Sequence, residues 1–138
     1  MMACFALGAE AVQIGSRFVT SAESSAHENF KNIIVNSKEG DTLLTMKELT
    51  PVRLIKNKFY KEIEAAEERG AGIEEIKEIL GRARAKKGMF EGDLDEGELE
   101  IGQVSANINE IKPAGEIVQE IWTDFIKTQQ QIAAIKAD

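Results

Sequence analysis

The chain has 138 residues, of which 43% are hydrophobic and 30% are charged, and its formal net charge at pH 7 is −7. This length fits one compact domain or part of a larger one, and the composition excludes collagen-like, low-complexity and intrinsically disordered proteins. Because negative charge repels nucleic-acid phosphates and anionic lipids, we expect neither a nucleic acid nor a membrane as partner.

The first residues predict the end of a helix followed by a buried strand. Residues 1–7 are apolar with good helix formers, and Gly8 stands where a C-terminal cap glycine belongs. Residues 11–14 are apolar except for Gln13, which is typical of a parallel strand covered on both faces. Such a strand needs neighbours, so we expect the missing sheet to lie upstream and the chain to be a truncated part of a larger fold.

The middle of the chain predicts a helix, two short strands and two further helices. Ser24 or Ser25 can cap a helix within residues 21–36, in which apolar residues recur at helical spacing. Two short extended pieces, 42–46 and 52–55, are separated by Pro51. Helices are predicted over 57–69 and 73–80, each followed by glycine.

Two blocks of opposite charge follow, basic over 82–87 and acidic over 91–100. Exposed blocks of this kind stay solvated or pair locally, and we favour solvated faces over a carrier-binding patch or a calcium loop. A helix is predicted over 99–111. Pro113 then opens a last helix that carries the apolar residues Ile117, Ile121, Trp122, Phe125, Ile132 and Ile135.

The residue inventory excludes several kinds of site. Cys4 is the only cysteine and His27 the only histidine, so we predict no disulfide and no metal centre. Cys4 lies in an apolar helix without a neighbouring cation and is predicted to be a buried, inert thiol. His27 is predicted inside a helix, where a structural or surface role is favoured over that of a general base.

The turn after the predicted strand could bind phosphate. In α/β barrels, phosphate-bearing ligands often bind the loops after the last strands. There Gly15 would let the backbone approach a phosphate, Ser16 would add a hydroxyl donor, and Arg17 could neutralise charge or brace the loop. Local spacing alone leaves a plain strand-to-helix turn as the more frequent alternative.

Several motifs in the same order resemble one enzyme superfamily. They occupy residues 6–18, 25–31, 51–57 and 92–97, the last leading to Gly102-Gln103. Together they resemble the nitronate monooxygenases (2-nitropropane dioxygenases) and the related flavin-dependent enoyl-acyl-carrier-protein reductases. The resemblance implies an α/β fold and the C-terminal portion of an FMN-binding (β/α)8 TIM barrel. The last barrel strand and helix would occupy residues 1–36, a helical insertion 37–112 and a mainly helical C-terminal extension 113–138.

The resemblance also implies the cofactor and its contacts. Gln13, Ile14, Gly15 and Ser16 match the segment that contacts the FMN phosphate, with Ser16 standing where many relatives have threonine. The other phosphate-binding glycines and the histidine assigned as catalytic base precede this segment in the family, so no catalytic residue is assigned here. His27 matches a different, helix-borne histidine.

Two activities follow from the resemblance, each with a small-molecule substrate. The monooxygenases oxidise alkyl nitronates with O₂ to carbonyl compounds and nitrite, and the reductases use a nicotinamide cofactor to reduce an enoyl thioester through FMN. The acidic segment 97–103 departs from the reductase pattern and favours the nitronate branch. We expect a cytoplasmic protein, inactive as 138 residues alone, and assembly into a homo-oligomer stays open.

Two alternatives stand beside this reading. The chain could be a non-catalytic helical interaction module that binds a partner through its apolar helix faces, which an incomplete barrel would expose equally. It could also be a phosphate-binding barrel for another class of cofactor.

Overall fold

The computed structural model describes residues 1–135 and shows a mixed α/β chain. In chain order its regular elements are α1 (Met2–Ala6), α2 (Ser16–Val19), α3 (Glu28–Val35), β1 (Thr42–Thr45), β2 (Val52–Ile55), α4 (Lys58–Glu68), α5 (Ile73–Leu80), a π-helix (Lys86–Phe90), a 3-10 helix (Gln103–Asn107) and α6 (Ala114–Ala133). Within these residues no helix is both long enough and apolar enough to cross a bilayer.

The hairpin predicted on either side of Pro51 is confirmed. Strands β1 and β2 pair antiparallel, with Thr42 opposite Ile55 and Thr45 opposite Val52. Residues 99–101 lie along the other side of β2, where the Ile55 N–H donates to the carbonyl of Leu99 at 3.0 Å. The prediction of a helix over 99–111 is therefore wrong. The first of these residues pair with β2, and only Gln103–Asn107 is helical, as a 3-10 helix.

Two apolar clusters form the core. One lies between the hairpin, α4 and α5 and is centred on Phe59 and Ile63. The other packs α3 against the 99–101 segment through Phe30, Leu99 and Ile101. The helices predicted over 57–69 and 73–80 are confirmed as α4 and α5, because each buries one apolar face in the first cluster.

The helix predicted within 21–36 is shorter than expected and begins at a different cap. Helix α3 starts after His27, whose Nδ1 accepts a hydrogen bond from the Asn29 N–H at 3.1 Å. Ser24 and Ser25 lie in the preceding loop, where the Ser24 hydroxyl accepts from the Ala26 N–H instead. His27 is thus a helix cap rather than a residue inside a helix.

The predictions for the two ends of the chain are confirmed in part. The helix end at residues 1–7 is confirmed by α1, and Gly8 has φ +95°, as a cap glycine requires. The last helix begins after Pro113 as predicted; Ile135 lies beyond the end of α6, and residues 136–138 lie outside the described residues. Cys4 is exposed, so the prediction of a buried thiol is wrong.

The buried strand predicted over 11–14 is also wrong for this chain. No strand is present at residues 11–15, and Gln13 and Ile14 are exposed. A strand is defined by hydrogen bonds to a neighbour, and none of the hydrogen bonds between backbone groups within residues 1–135 involves residues 11–14. The segment therefore remains a loop that leads into α2.

Candidate functional site

The segment predicted to contact phosphate is an open loop. Gln13, Ile14 and Gly15 are exposed, and Ser16 is the half-buried first residue of α2. No heavy atom lies within 4 Å of the position that a Gly15 Cβ would occupy. Within residues 1–135, the backbone N–H groups of Gly15 and Ser16 donate to no protein acceptor. Open space beside N–H groups and a hydroxyl fits the phosphate of the cofactor that the resemblance implies.

Ser16 is held from a distant part of the sequence. The Gly102 N–H donates to the Ser16 Oγ at 3.1 Å, across 86 residues of chain. A Cβ on Gly102 would stand 2.6 Å from that oxygen, so the two residues are in close contact. The sequence placed Gly102 in a matching motif but not in the site. Only that motif match could have signalled it, because nothing local couples the two positions.

Arg17 braces the loop rather than neutralising a ligand. Its Nη1 donates to the Thr20 hydroxyl at 2.8 Å and to the carbonyl of Glu110 at 3.2 Å. Thr20 is fully buried, and its hydroxyl donates back to the Arg17 carbonyl at 2.9 Å. Of the two roles left open by the sequence, the structure favours the brace, because the guanidinium is engaged within the protein.

Lys31 holds the next loop in place. Its side chain is buried, and the ammonium donates to the carbonyls of Ser21 at 2.8 Å, Ala22 at 3.2 Å and Ser24 at 2.8 Å. The Ala22 N–H also donates to the Lys112 carbonyl at 2.9 Å. Sequence reasoning missed Lys31. The sequence feature that could have identified it is its position on the inward face of α3, next to Phe30 and three residues before Ile34.

The two charge blocks pair with each other and with α4. Arg84 and Lys58 both bind the Glu96 carboxylate, and Lys87 lies 3.2 Å from Asp93. The hydrogen bond from the Lys58 ammonium holds the pKa of Glu96 below its usual value. The prediction that these blocks stay solvated or pair locally is confirmed, because the pairs around Glu96 are local and their side chains remain partly exposed.

Glu98 differs from its acidic neighbours. Burial raises the pKa of its carboxyl above the usual value, and the nearby Glu100 carboxylate raises it further. Both residues precede Gly102 in the segment that runs along β2. The chain next to the Ser16 contact is thus acidic.

The other candidates lie apart from this arrangement. His27 caps α3 and packs its ring against Gly92. A cavity of about 380 Å³ lies at the hairpin and α5, between Leu44, Met46, Leu49 and Ile73 among others, and none of the residues predicted to bind phosphate lines it. Among residues 1–135 no group of histidine, cysteine or acidic side chains is arranged to hold a metal ion.

The arrangement offers hydrogen-bond donors but supplies no reactive group of its own. Gln13, Ile14, Gly15, Ser16 and Gly102 include neither an acid nor a base. They offer amide and hydroxyl donors, which recognise phosphate esters. Redox chemistry at this place would come from a bound cofactor.

Comparisons with known proteins agree on one family. The family model of nitronate monooxygenase matches residues 1–124. A probable nitronate monooxygenase from Staphylococcus aureus strain Newman is 42% identical over 64 residues, which are 46% of this chain and 18% of that protein. Its counterpart from strain JH9 matches to the same extent.

Two solved structures are also similar to this chain. FabK from Thermotoga maritima matches with a TM-score of 0.87 and 36% identity, over 96% of this chain and 42% of that one. A mutant of the same protein matches with a TM-score of 0.80 and 34% identity, over 96% and 40%. The chain thus spans less than half the length of each of these relatives. Since the family model covers nearly the whole sequence, the chain belongs to the nitronate monooxygenase family, a family of oxidoreductases.

Proposed function

We propose that this chain forms part of an FMN-dependent oxidoreductase and contributes to binding the FMN phosphate. In this proposal it is the C-terminal portion of a (β/α)8 TIM barrel, and Gln13, Ile14, Gly15 and Ser16 face the phosphate. The observation that carries the proposal is the family match over residues 1–124, which includes this segment. The open backbone at Gly15 and the Ser16 hydroxyl support it.

The substrate we propose is an alkyl nitronate, oxidised with O₂ to a carbonyl compound and nitrite. The family model and the names of the curated relatives support this choice, and so does the acidic segment before Gly102. Reduction of an enoyl-acyl-carrier-protein thioester is the second candidate, supported by the structural similarity to FabK. We also propose a cytoplasmic location for the protein.

Within this proposal the residues of the chain bind and orient the cofactor. FMN supplies the electron transfer when it is bound. Ser16 and the backbone at Gly15 hold its phosphate, while Arg17 and Lys31 keep the flanking loops in place. Since the chain spans 42% of FabK, we propose that full activity needs segments that the longer relatives supply.

Retention of flavin tests the binding proposal. The purified chain is incubated with FMN or with riboflavin, which lacks the phosphate, and is then desalted; the visible absorption spectrum reports bound flavin. We expect weak retention of FMN and none of riboflavin, and we expect Ser16→Ala to lose the preference that Ser16→Thr keeps. Retention of both flavins to the same extent would contradict a phosphate site at residues 13–16.

Product analysis separates the two activities. Because full activity needs segments that the longer relatives supply, we expect only residual turnover from the FMN-loaded chain, which is given propane-2-nitronate in air and assayed for nitrite and O₂ uptake against free FMN. A parallel sample receives NADH, NADPH and a crotonyl thioester and is assayed for oxidation of the nicotinamide. Nitrite without thioester reduction supports the nitronate branch, and the reverse result supports the reductase.

A further inference from the structure

We infer that Gly102 is a positioning residue that orients the Ser16 hydroxyl toward an anionic ligand of the phosphate-ester class. The inference rests on the proposed function for the identity of the ligand. Its structural part, the control of Ser16 by Gly102, stands on the contact between the two residues and is tested separately.

The first step is the hydrogen-bond capacity of the hydroxyl. A serine hydroxyl has one proton to donate and two lone pairs that accept. The Ser16 Oγ accepts from the Gly102 N–H at 3.1 Å. Within residues 1–135 the same hydroxyl donates to no acceptor. Its proton is therefore available to a ligand, and the Gly102 N–H restricts where that proton can point.

The second step is the space at Gly102. A Cβ built there would stand 2.6 Å from the Ser16 Oγ, while the Ser16 Cβ and the Val104 Cγ1 are both 3.8 Å away. The Oγ is thus the single atom that a methyl group would meet at a forbidden distance. Gly102 has φ −69° and ψ 156°, which alanine adopts without strain. A Gly102→Ala substitution therefore acts by turning the Ser16 side chain away rather than by distorting the backbone.

A double-mutant cycle tests the structural part on the 138-residue chain. Gly102→Ala, Ser16→Ala and the double variant are compared by thermal unfolding. The control is Gly115→Ala, because no heavy atom lies within 4 Å of that Cβ position. We expect Gly102→Ala to lower Tm by about 4 °C in the wild-type background. In the Ser16→Ala background the obstructing oxygen is gone, so the same substitution should change Tm by less than about 1 °C.

Ligand preference tests the functional part on the same proteins. Phosphorus NMR line broadening of FMN and proton NMR line broadening of riboflavin give the ratio of the two affinities, including those in the millimolar range. Gly102→Ala should reduce the preference for FMN about tenfold, since it removes one charge-assisted hydrogen bond. Gly115→Ala should leave the ratio unchanged.

Each result decides one part. Additive Tm changes in the cycle would overturn the inference, whatever the flavin result. An unchanged preference for FMN in Gly102→Ala, with a clear preference in wild type, would overturn it as well. If wild type shows no preference for FMN, the proposed function fails, and a phosphate ester is no longer supported as the ligand. Coupling in the cycle would still support the control of Ser16 by Gly102.

Discussion

Replacing Lys31 by methionine should destabilise the chain and loosen the loop that follows α2. Lys31 is 5% exposed as a residue, and its ammonium donates to three backbone carbonyls. Methionine has a similar length and keeps the apolar contacts of the lysine stem, so the change removes the hydrogen bonds with little change in packing.

The magnitude follows from the surroundings of the three carbonyls. The bond to Ser21 is buried, and losing a charged donor there costs about 1.5–3 kcal/mol, although the Ser24 N–H still donates to the same oxygen. The carbonyls of Ala22 and Ser24 are partly buried, so water can replace the ammonium at a cost of roughly 0.5 kcal/mol each. Relief from burying a charge offsets part of this loss. We therefore expect Lys31→Met to lower the free energy of unfolding by about 2 kcal/mol, or Tm by roughly 8 °C.

Urea denaturation measures the stability change, and Lys61→Met is the matched control because Lys61 is exposed on α4. The control should shift stability by less than about 0.5 kcal/mol. Hydrogen exchange gives a local readout: the Ser24 N–H, which donates to the Ser21 carbonyl at 3.2 Å, should exchange faster in Lys31→Met. If the two variants are equally stable, water satisfies the carbonyls and Lys31 is not needed to hold the loop.

Three further substitutions have defined outcomes. Arg84 donates to three main-chain carbonyls and lies 4.8 Å over an aromatic ring, so Arg84→Ala should cost about 2 kcal/mol in urea denaturation, whereas the exposed Lys86→Ala should cost less than about 0.5 kcal/mol. A Cβ on Gly97 would stand 2.2 Å from the Gly88 Cα, a backbone atom that cannot turn aside, so Gly97→Ala should abolish the cooperative thermal transition seen by circular dichroism. Because burial raises the pKa of Glu98 in the folded state, its ionisation opposes folding; Glu98→Gln should raise Tm at pH 7 and lose this advantage as the pH falls through the raised pKa toward the ordinary carboxyl value of 4.5. An equal gain at pH 7 and pH 4 would contradict that cause.

Elements with strong local signals could be predicted from the sequence. Helix α5 was predicted with its observed bounds, because four apolar residues at helical spacing end at Gly81. The hairpin followed from two short apolar runs around Pro51, and the last helix from Pro113. In each case the residues that define the element are its own neighbours in sequence, so the pattern contains the information.

Two of the wrong predictions concern strand pairing, which depends on residues distant in sequence. Residues 99–101 have helical spacing but pair with β2, some 45 residues earlier. Residues 11–14 have the pattern of a buried strand but no pairing partner within residues 1–135. The family resemblance indicates the candidate segment. It predicts neither the Gly102 contact nor the hydrogen bonds of Lys31, because no periodic pattern relates the residues that these contacts join.

Three hydrogen-bonded links attach the candidate site to the rest of the fold, and Val19 of the same helix α2 packs against the second core cluster. Gly102 holds Ser16, the Glu110 carbonyl holds Arg17, and Lys31 holds the loop that begins at Ser21. The two core clusters draw their buried residues from positions 30–108 and include none from the segment 13–16. Each link joins a polar side chain to a main-chain group, so losing it removes a hydrogen bond without opening a cavity in either apolar cluster. Substitutions at Gly102 or Arg17 should therefore change the affinity for a phosphate ester while both apolar clusters stay folded, and this is what distinguishes a positioned binding loop from a turn that merely connects two elements.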